Sequence, residues 1–309
     1  MQHTLAQPIS CDGISLHQGE HVTISLQPAP ANHGIVFKRT DINDAQANLV
    51  KANYANVVDT RLCTVLENAH GVRVATIEHL MAALWGCGVD NALIEIEGAE
   101  IPIMDGSSDA FTFMIECAGL KSQQEPRKII VIDAPIIVQD GDSIAMLQPS
   151  SEGFSIEVDI EFEHKAIGTQ KYHFDAEEMS FKQSISRART FGFLRDVEAM
   201  RKAGLARGGS LNNAIVINDE GVMNEDGLRF HDEYARHKAL DCLGDYYLAG
   251  HNIIGKARTS KPGHGINNKL MKALFANPKS WHFVDDAHKI YAPHFMASTS
   301  AGEMLSNSL

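Results

Sequence analysis

The stretch EYARHKALDCLGD, residues 233–245, carries side chains at a spacing that could bind a metal. On a helix, His237, Asp241 and Asp245 follow one another at four-residue intervals, so their side chains share one face. Imidazole and carboxylate are good ligands for a divalent cation, and the same spacing brings both histidines of an H-E-x-x-H motif to one ion. The alternative is a surface ion pair that stabilises the helix slightly. With 15 histidines in the chain, spacing alone leaves both interpretations open.

A second stretch, TIEHL, could complete the site. Thr76 is a predicted N-cap, so Glu78 and His79 would lie in the first turn of a helix. If His79 joins His237 and Asp241, two imidazoles and one carboxylate bind the ion and leave a position for water, as in catalytic zinc sites. Glu78 would then lie beside that water and could act as general base. The alternative is an ordinary helix start, where an acidic residue interacts favourably with the helix dipole.

The stretch KPGHGINNKL places His264 between two glycines at the predicted start of another helix. Glycine lets the backbone approach a ligand closely, and a helix N-terminus favours an anion. Lys261 and Lys238 add positive charge that could meet a phosphate or an oxyanion. Because exposed lysines are usually solvated and contribute little, a plain loop and helix cap is the alternative.

The composition of the chain excludes several classes of protein. Its 309 residues, 44% hydrophobic and 21% charged, are typical of a globular protein of two medium domains. A net charge of −12 argues against nucleic-acid binding, which needs a basic face. Five scattered cysteines, the lack of a signal-peptide pattern and the lack of a long apolar run predict a cytoplasmic protein without a membrane segment. Nothing in the sequence demands an oligomer, so we expect a monomer.

Two parts of the chain show the same order of predicted elements. The first part has a helix, a strand, a glycine-containing loop and a helix at 76–86, 92–97, 104–107 and 108–118. The second part has the same four elements at 231–249, 251–257, 260–265 and 266–276. This repeat predicts an α+β fold of two related two-layer α/β sandwich domains, packed face to face with the active site in the cleft between them.

The domain boundaries follow from this repeat. We expect an N-terminal domain at 1–122, a polar linker at 123–128 and a C-terminal domain at 129–309. A helix–strand insert around 193–220 interrupts the second domain. Its apolar residues favour ordinary core packing, with an apolar tunnel beside the metal as the alternative. The final stretch ASTSAGEMLSNSL is small and polar, and we expect it to fray.

Five stretches of the sequence together resemble one enzyme family. They are TIEHLMAALWGCGVDNALIEI, SRARTFGF, GGSLNNAIV, RFHDEYARHKALDCLGD and KPGHGINNKL. In order and spacing they are similar to the UDP-3-O-acyl-N-acetylglucosamine deacetylases, the zinc hydrolases that take the committed step of lipid A synthesis in Gram-negative bacteria. The resemblance covers nearly the whole chain and implies two α+β domains that meet at the active site. One departure is Gly265, at a position where many members carry a side chain.

The resemblance implies a catalytic role for several residues. The implied zinc ligands, with ferrous iron as the alternative metal in the cell, are His79, His237 and Asp241. Glu78 is implied as the general base and His264 as the acid that protonates the leaving amine. Asp245 would orient His264, and the hydroxyl of Thr190 would stabilise the oxyanion.

Other residues are implied to contact the substrate, a small molecule. Lys238 and Lys261 would contact its diphosphate side. The residues implied to lie beside the site or along the substrate cleft are Leu62, Cys63 and Phe191. The residues implied to line a tunnel for the acyl chain, in place of an ordinary core, are Ala206, Ser210 and Val216.

The reaction implied is hydrolysis of the 2-acetamido group of UDP-3-O-((R)-3-hydroxyacyl)-N-acetylglucosamine, which gives acetate and the free amine. Two alternatives stay open. Another metallohydrolase acting on a nucleotide-sugar, such as a phosphodiesterase, would release UMP in place of acetate. A non-catalytic metal-binding module would have a filled coordination sphere and would leave Glu78 and His264 without a function.

Overall fold

The computed structural model describes residues 1–286. The end of the C-terminal domain expected at 129–309, including the stretch ASTSAGEMLSNSL that we expect to fray, lies outside the described residues. The fold is of mixed helix and sheet, as the sequence predicts.

The first part of the chain forms a five-stranded sheet with two helices packed beside it. The strands in this part of the chain are β1 (His3–Leu5), β2 (Ile9–Ile14), β3 (His21–Pro28), β4 (Ile35–Arg39), β5 (Leu49–Lys51), β6 (Val57–Asp59), β7 (Val65–Glu67), β8 (Arg73–Val74), β9 (Ala92–Ile96) and β10 (Leu120–Ser122). Its helices are α1 (Glu78–Gly86) and α2 (Asp109–Ala118). The sheet order is β2-β3-β9-β4-β5, in which β9 runs antiparallel to β3 and parallel to β4.

The second part repeats this topology. Its strands are β11 (Arg127–Ile132), β12 (Ile136–Asp140), β13 (Ser143–Gln148), β14 (Phe154–Glu161), β15 (Thr169–Asp175), β16 (Phe191–Phe193), β17 (Ile215–Asn218), β18 (Gly221–Val222), β19 (Asn252–Ser260) and β20 (Trp281–Asp286). Its helices are α3 (Phe181–Ser184), α4 (Leu194–Lys202), α5 (Glu233–Tyr246) and α6 (His264–Ala276). Strand β19 runs antiparallel to β13 and parallel to β14, and hairpins add β12 and β15. The predicted repeat of helix, strand and helix is therefore confirmed.

Each half also carries a three-stranded insert at the same place, between its second hairpin and its first long helix. In the first half this insert is β6-β7-β8, and in the second it contains β16-β17-β18 together with α4. In each half the insert is followed along the chain by the long helix, α1 or α5.

The alternation of the sequence accounts for the strands. In β3, Val22, Ile24 and Leu26 are buried and alternate with more exposed residues. Helix α1 is buried on every side from Glu78 to Trp85, because it packs against both α2 and α5.

Helices α1 and α5 approach each other closely at one glycine. A side chain at Gly244 would place its Cβ 2.1 Å from the carbonyl oxygen of Glu78. Only glycine lets the two helices come so near, and the first turn of α1 thereby lies directly against the last turn of α5, three residues after Asp241. This contact brings the two halves of the predicted metal site together.

Two local predictions differ from the structure. Thr76 does not cap α1: its φ is +57°, the helix begins after Ile77, and the Thr76 hydroxyl donates to Glu100 Oε1 at 3.0 Å. Arg127 and Lys128, which we assigned to the linker, already belong to β11. Arg127 is buried because its guanidinium donates to both carboxylate oxygens of Asp90, so this segment is anchored to the first half of the chain.

Candidate metal centre and active site

Three candidate metal ligands converge where α1 meets α5. His79 is the second residue of α1, and His237 and Asp241 lie one turn apart on α5. Their nearest ligand atoms all lie within 4.8 Å of one another. Asp241 Oδ1 is 3.3 Å from His237 Nε2 and 3.7 Å from His79 Nε2. The structure therefore brings together the three residues that the sequence predicts as ligands, and all three are buried.

The unpaired atoms of this cluster fit a cation. Asp241 Oδ1 is buried and has no hydrogen-bond partner among the described residues, which is costly for a carboxylate oxygen. His237 Nδ1 lies 3.0 Å from the Ala188 carbonyl; a proton donated there leaves Nε2 as a free ligand atom. Two imidazole nitrogens and one carboxylate oxygen are a donor set that suits zinc or ferrous iron.

The electrostatics also suit a cation. Burial, together with the neighbouring His237, lowers the pKa of His79 to about 3, so the ring is neutral as a ligand must be. Burial alone would raise the pKa of Asp241, but His237 and Lys238 hold it well below its usual range. The second oxygen of this carboxylate, Oδ2, accepts a hydrogen bond from Lys238 Nζ at 2.8 Å.

A carboxylate and an imidazole face each other beside the ligand cluster. Glu78 Oε1 lies 3.6 Å from His264 Nε2, and His264 Nδ1 lies 2.9 Å from Asp245 Oδ2. Burial raises the pKa of Glu78 to about 7. Burial would lower the pKa of His264, but Asp245 and Glu78 more than offset it and raise this pKa to about 10. The geometry thus pairs a proton acceptor with a proton donor.

Two residues that the sequence analysis missed hold this pair in place. Thr64 donates its backbone N–H to Glu78 Oε2 at 3.0 Å and its hydroxyl to Asp245 Oδ1 at 2.6 Å. Asn267 donates from its amide to Asp245 Oδ2 at 2.8 Å. Both are buried. The only sequence signals were that Thr64 follows Cys63 and that Asn267 lies one turn after His264. Neither side chain belongs to a recognisable catalytic motif.

A buried ion pair between Arg189 and Glu233 fixes the segment that contains Thr190 and Phe191. Arg189 donates from its backbone N–H and its Nε to Glu233 Oε1, at 3.0 and 2.9 Å. Glu233 is the first residue of α5, so the segment is tied to the helix that carries two of the candidate ligands. The Phe191 ring packs against His237 at a centroid distance of 6.3 Å, with Lys238 Nζ 5.6 Å from its centre.

A cavity of about 270 Å³ opens beside Thr190 and Phe191. Ala206, Ser210 and Val216, which the resemblance implies as tunnel residues, all line it. The core packing that the insert residues alone favoured is wrong for α4, which has no buried residue. Its apolar residues Leu194, Val197 and Met200 line the cavity.

A second cavity of about 450 Å³ is lined by Leu62 and Cys63, which the resemblance implies to lie beside the site. Leu62 is exposed, whereas Cys63 is buried and its pKa is raised by that burial and by the charge of Glu78. His17, which the sequence analysis did not single out, lines both cavities.

Lys261 pairs with two acidic residues of the second half of the chain. Its ammonium group contacts Glu161 Oε2 at 3.1 Å and Asp142 Oδ2 at 3.9 Å. Its φ of +50° places it in a strained turn directly after β19, three residues before His264.

Comparison with known proteins identifies the family. The family described as "LpxC: UDP-3-O-acyl N-acetylglycosamine deacetylase" matches residues 2–276. The chain belongs to this deacetylase family. A UDP-3-O-acyl-N-acetylglucosamine deacetylase of Pasteurella multocida is 49% identical over 295 residues, which cover 95% of this chain and 96% of the relative. The enzyme of the same name from Acidithiobacillus ferrooxidans is 47% identical over 300 residues, 96% of this chain and 97% of the relative.

Membership in the deacetylase family agrees with the geometry of the cluster. The protein is an enzyme, a metal-dependent deacetylase of the hydrolase class. The resemblance inferred from five stretches of sequence is confirmed. Among the helices of residues 1–286, none is long and apolar enough to cross a membrane.

Proposed function

We propose that the protein hydrolyses the N-acetyl group of UDP-3-O-((R)-3-hydroxyacyl)-N-acetylglucosamine. The products are acetate and the free 2-amine, and the reaction is the committed step of lipid A biosynthesis. The observation that carries this proposal is the convergence of a His-His-Asp cluster, a buried glutamate and a buried histidine at the contact of α1 with α5. That arrangement has the parts that amide hydrolysis requires.

His79, His237 and Asp241 would hold one metal ion, for which we propose zinc, with ferrous iron as the alternative. When bound, such an ion acidifies a water and polarises the acetyl carbonyl. Glu78 directly precedes His79 in the first turn of α1, so its carboxylate would be placed to act on a water that the bound ion activates.

Glu78 acts as the general base. Its Oε2 is fixed by the Thr64 N–H, which leaves Oε1 to take a proton from the attacking water. A carboxylate with a pKa near 7 is a better base than one with an ordinary pKa, because its affinity for the proton is higher at working pH.

His264 acts as the general acid. An amine anion is too basic to leave at neutral pH, so the nitrogen must be protonated as the C–N bond breaks. Asp245 holds His264 Nδ1, orienting the ring and favouring its protonated form, so that Nε2 can deliver the proton. Glu78 and His264 would thus act as base and acid on the same scissile amide.

Thr190 and Lys238 stabilise negative charge. The Thr190 hydroxyl would donate to the oxyanion, and one such donor is typically worth about 3 kcal/mol. Lys238, held by Asp241 at 2.8 Å, adds a fixed positive charge at the same place and, with Lys261, contacts the diphosphate side of the substrate. Phe191 would line the substrate cleft, and Leu62 and Cys63 would lie beside the site.

The acyl chain would enter the cavity of the second insert, beside Ala206, Ser210 and Val216. We propose a cytoplasmic monomer with domains at 1–122 and 129–309, acting on a small molecule and not on nucleic acid. The net charge of −12 supports the last point, since a nucleic-acid surface would repel this chain.

The test is to incubate the metal-loaded protein with the acylated UDP-N-acetylglucosamine and to follow both acetate and UMP. We expect acetate and the amine product in equal amounts, and no UMP. Release of UMP without acetate would assign the protein to phosphodiester hydrolysis. Absence of both, in protein with one bound metal per chain, would favour the non-catalytic metal-binding module. Zinc- and iron-loaded samples, compared at equal occupancy, identify the more active metal.

A further inference from the structure

The side chain of His17 lines the cavity of about 270 Å³ that we propose holds the acyl chain, called the tunnel below. Both ring nitrogens, Nδ1 and Nε2, are buried and have no hydrogen-bond partner among the residues that the structure describes. His17 lines both cavities, one together with Thr190 and the other together with Cys63. The same cavity is bordered by Phe191, whose ring packs against the candidate ligand His237.

The backbone around His17 is fixed from both sides. Its N–H donates to both oxygens of Glu100, at 2.9 and 3.1 Å, and Glu100 is itself buried. On the other side, the His17 carbonyl accepts from the Arg207 N–H at 3.3 Å. A Cβ at Gly208 would lie 2.2 Å from the Ser15 carbonyl, so the two segments touch backbone to backbone. The backbone that carries the ring is thus held by segments of both halves of the chain.

A buried imidazole without a partner costs free energy that a hydrocarbon side chain would not cost. The cavity wall includes the apolar Leu194, Val197 and Met200, and its polar side chains, Thr190, Arg201 and Ser210, make no hydrogen bond to the ring. The missing partner is therefore expected from the ligand. An imidazole both donates and accepts, and a hydroxyl group does the same, so the two are complementary.

We propose that His17 binds the 3-hydroxyl group of the substrate acyl chain, and thereby selects 3-hydroxyacyl over plain acyl substrates. This rests on the proposed function. The 3-hydroxyl is the polar group on the part of the chain that enters the tunnel, and it lies only three carbons from the sugar ester. His17 lines the same cavity as Thr190, the residue proposed to contact the oxyanion.

The experiment compares two substrates that differ only in the 3-hydroxyl, with acyl chains of equal length. For the wild-type protein we expect kcat/KM to be at least about 10-fold higher with the hydroxylated chain. In His17→Phe, which keeps a ring of similar shape without polar atoms, we expect this ratio to fall to about 1. Met200→Leu serves as the matched control, because it alters the wall of the same cavity without changing its polarity; here the ratio should stay at its wild-type value.

A second measurement does not depend on turnover. Calorimetric binding of the two deacetylated products should show the same preference in wild-type protein and its loss in His17→Phe. The proposal is overturned if wild-type protein does not distinguish the two chains, or if His17→Phe weakens both equally. If wild-type protein hydrolyses neither substrate, it is the proposed function that fails.

Discussion

The contact between α1 and α5 predicts that one added methyl group will damage the metal site. In Gly244→Ala, the new Cβ would start 2.1 Å from the Glu78 carbonyl oxygen and must move to about 3.4 Å, where ordinary contact begins. The helices must therefore separate by about 1.3 Å at this point. His79 belongs to α1 and His237 and Asp241 belong to α5, so the separation pulls one ligand away from the other two.

Two opposing effects determine the change in the free energy of unfolding of Gly244→Ala: the higher helix propensity of alanine and the overpacking of the helix contact. Alanine is favoured over glycine within a helix by about 1 kcal/mol. Overpacking a rigid backbone contact costs about 1–3 kcal/mol, so the net effect is a modest destabilisation of roughly 1 kcal/mol. Function is more sensitive, because metal distances tolerate only about 0.2 Å and a misplacement of about 1 Å costs roughly 100-fold in rate. We therefore expect the variant to fold, to bind metal more weakly and to lose about 100-fold in kcat/KM.

The assay measures three quantities on the same sample: urea unfolding, metal affinity by competition with a chelator, and kcat/KM. Gly265→Ala is the matched control, since Gly265 also lies in a helix near the site but its Cβ would lie 3.4 Å from Thr60 Oγ1, without a clash. That variant should be slightly more stable and should keep its metal affinity. Normal metal affinity and normal kcat/KM in folded Gly244→Ala would refute the argument that this glycine sets the distance between the ligands.

Three further predictions concern the chemistry. Glu78→Gln should retain the metal but lose about 10²–10⁴-fold in kcat, as measured by steady-state kinetics and elemental analysis; near-normal turnover would exclude Glu78 as the base. His237→Ala should lose metal and activity together, and full occupancy in that variant would remove His237 from the coordination sphere. The pH profile of kcat/KM should be bell-shaped, because activity needs Glu78 deprotonated and His264 protonated. In Asp245→Asn the loss of a carboxylate lowers the pKa of His264, so the alkaline limb should move to lower pH; an unmoved limb would show that another group controls it.

Much of this site was predictable because its chemistry is carried by residue types at regular spacing. His237 and Asp241 are one helical turn apart, and helix geometry alone places them together. The pairing of the two halves was predictable from the repeated order of elements. What brings His79 to the same point, however, is the glycine contact between α1 and α5, and a glycine within a helix carries no signal of what it packs against.

Other features depend on contacts between distant segments. Thr76 has the sequence of an N-cap, but its hydroxyl binds Glu100, which in turn holds the backbone of His17. The N-cap propensity of Thr76 is overridden because the buried carboxylate of Glu100 accepts the hydrogen bond from its hydroxyl. Thr64 could not be recognised for the same reason, since Asp245, which its hydroxyl binds, lies 181 positions away.

Helix α4 has an apolar stripe that the rest of the protein covers only in part. Leu194, Val197 and Met200 border the tunnel, and the helix contributes no buried residue to the fold. A hydrocarbon chain lying along that stripe would give the helix the neighbour that a hydrophobic core gives other helices. The length of the acyl chain and the order of α4 would then be coupled. A chain long enough to contact all three residues would stabilise the position of the helix, and a shorter chain would stabilise it less.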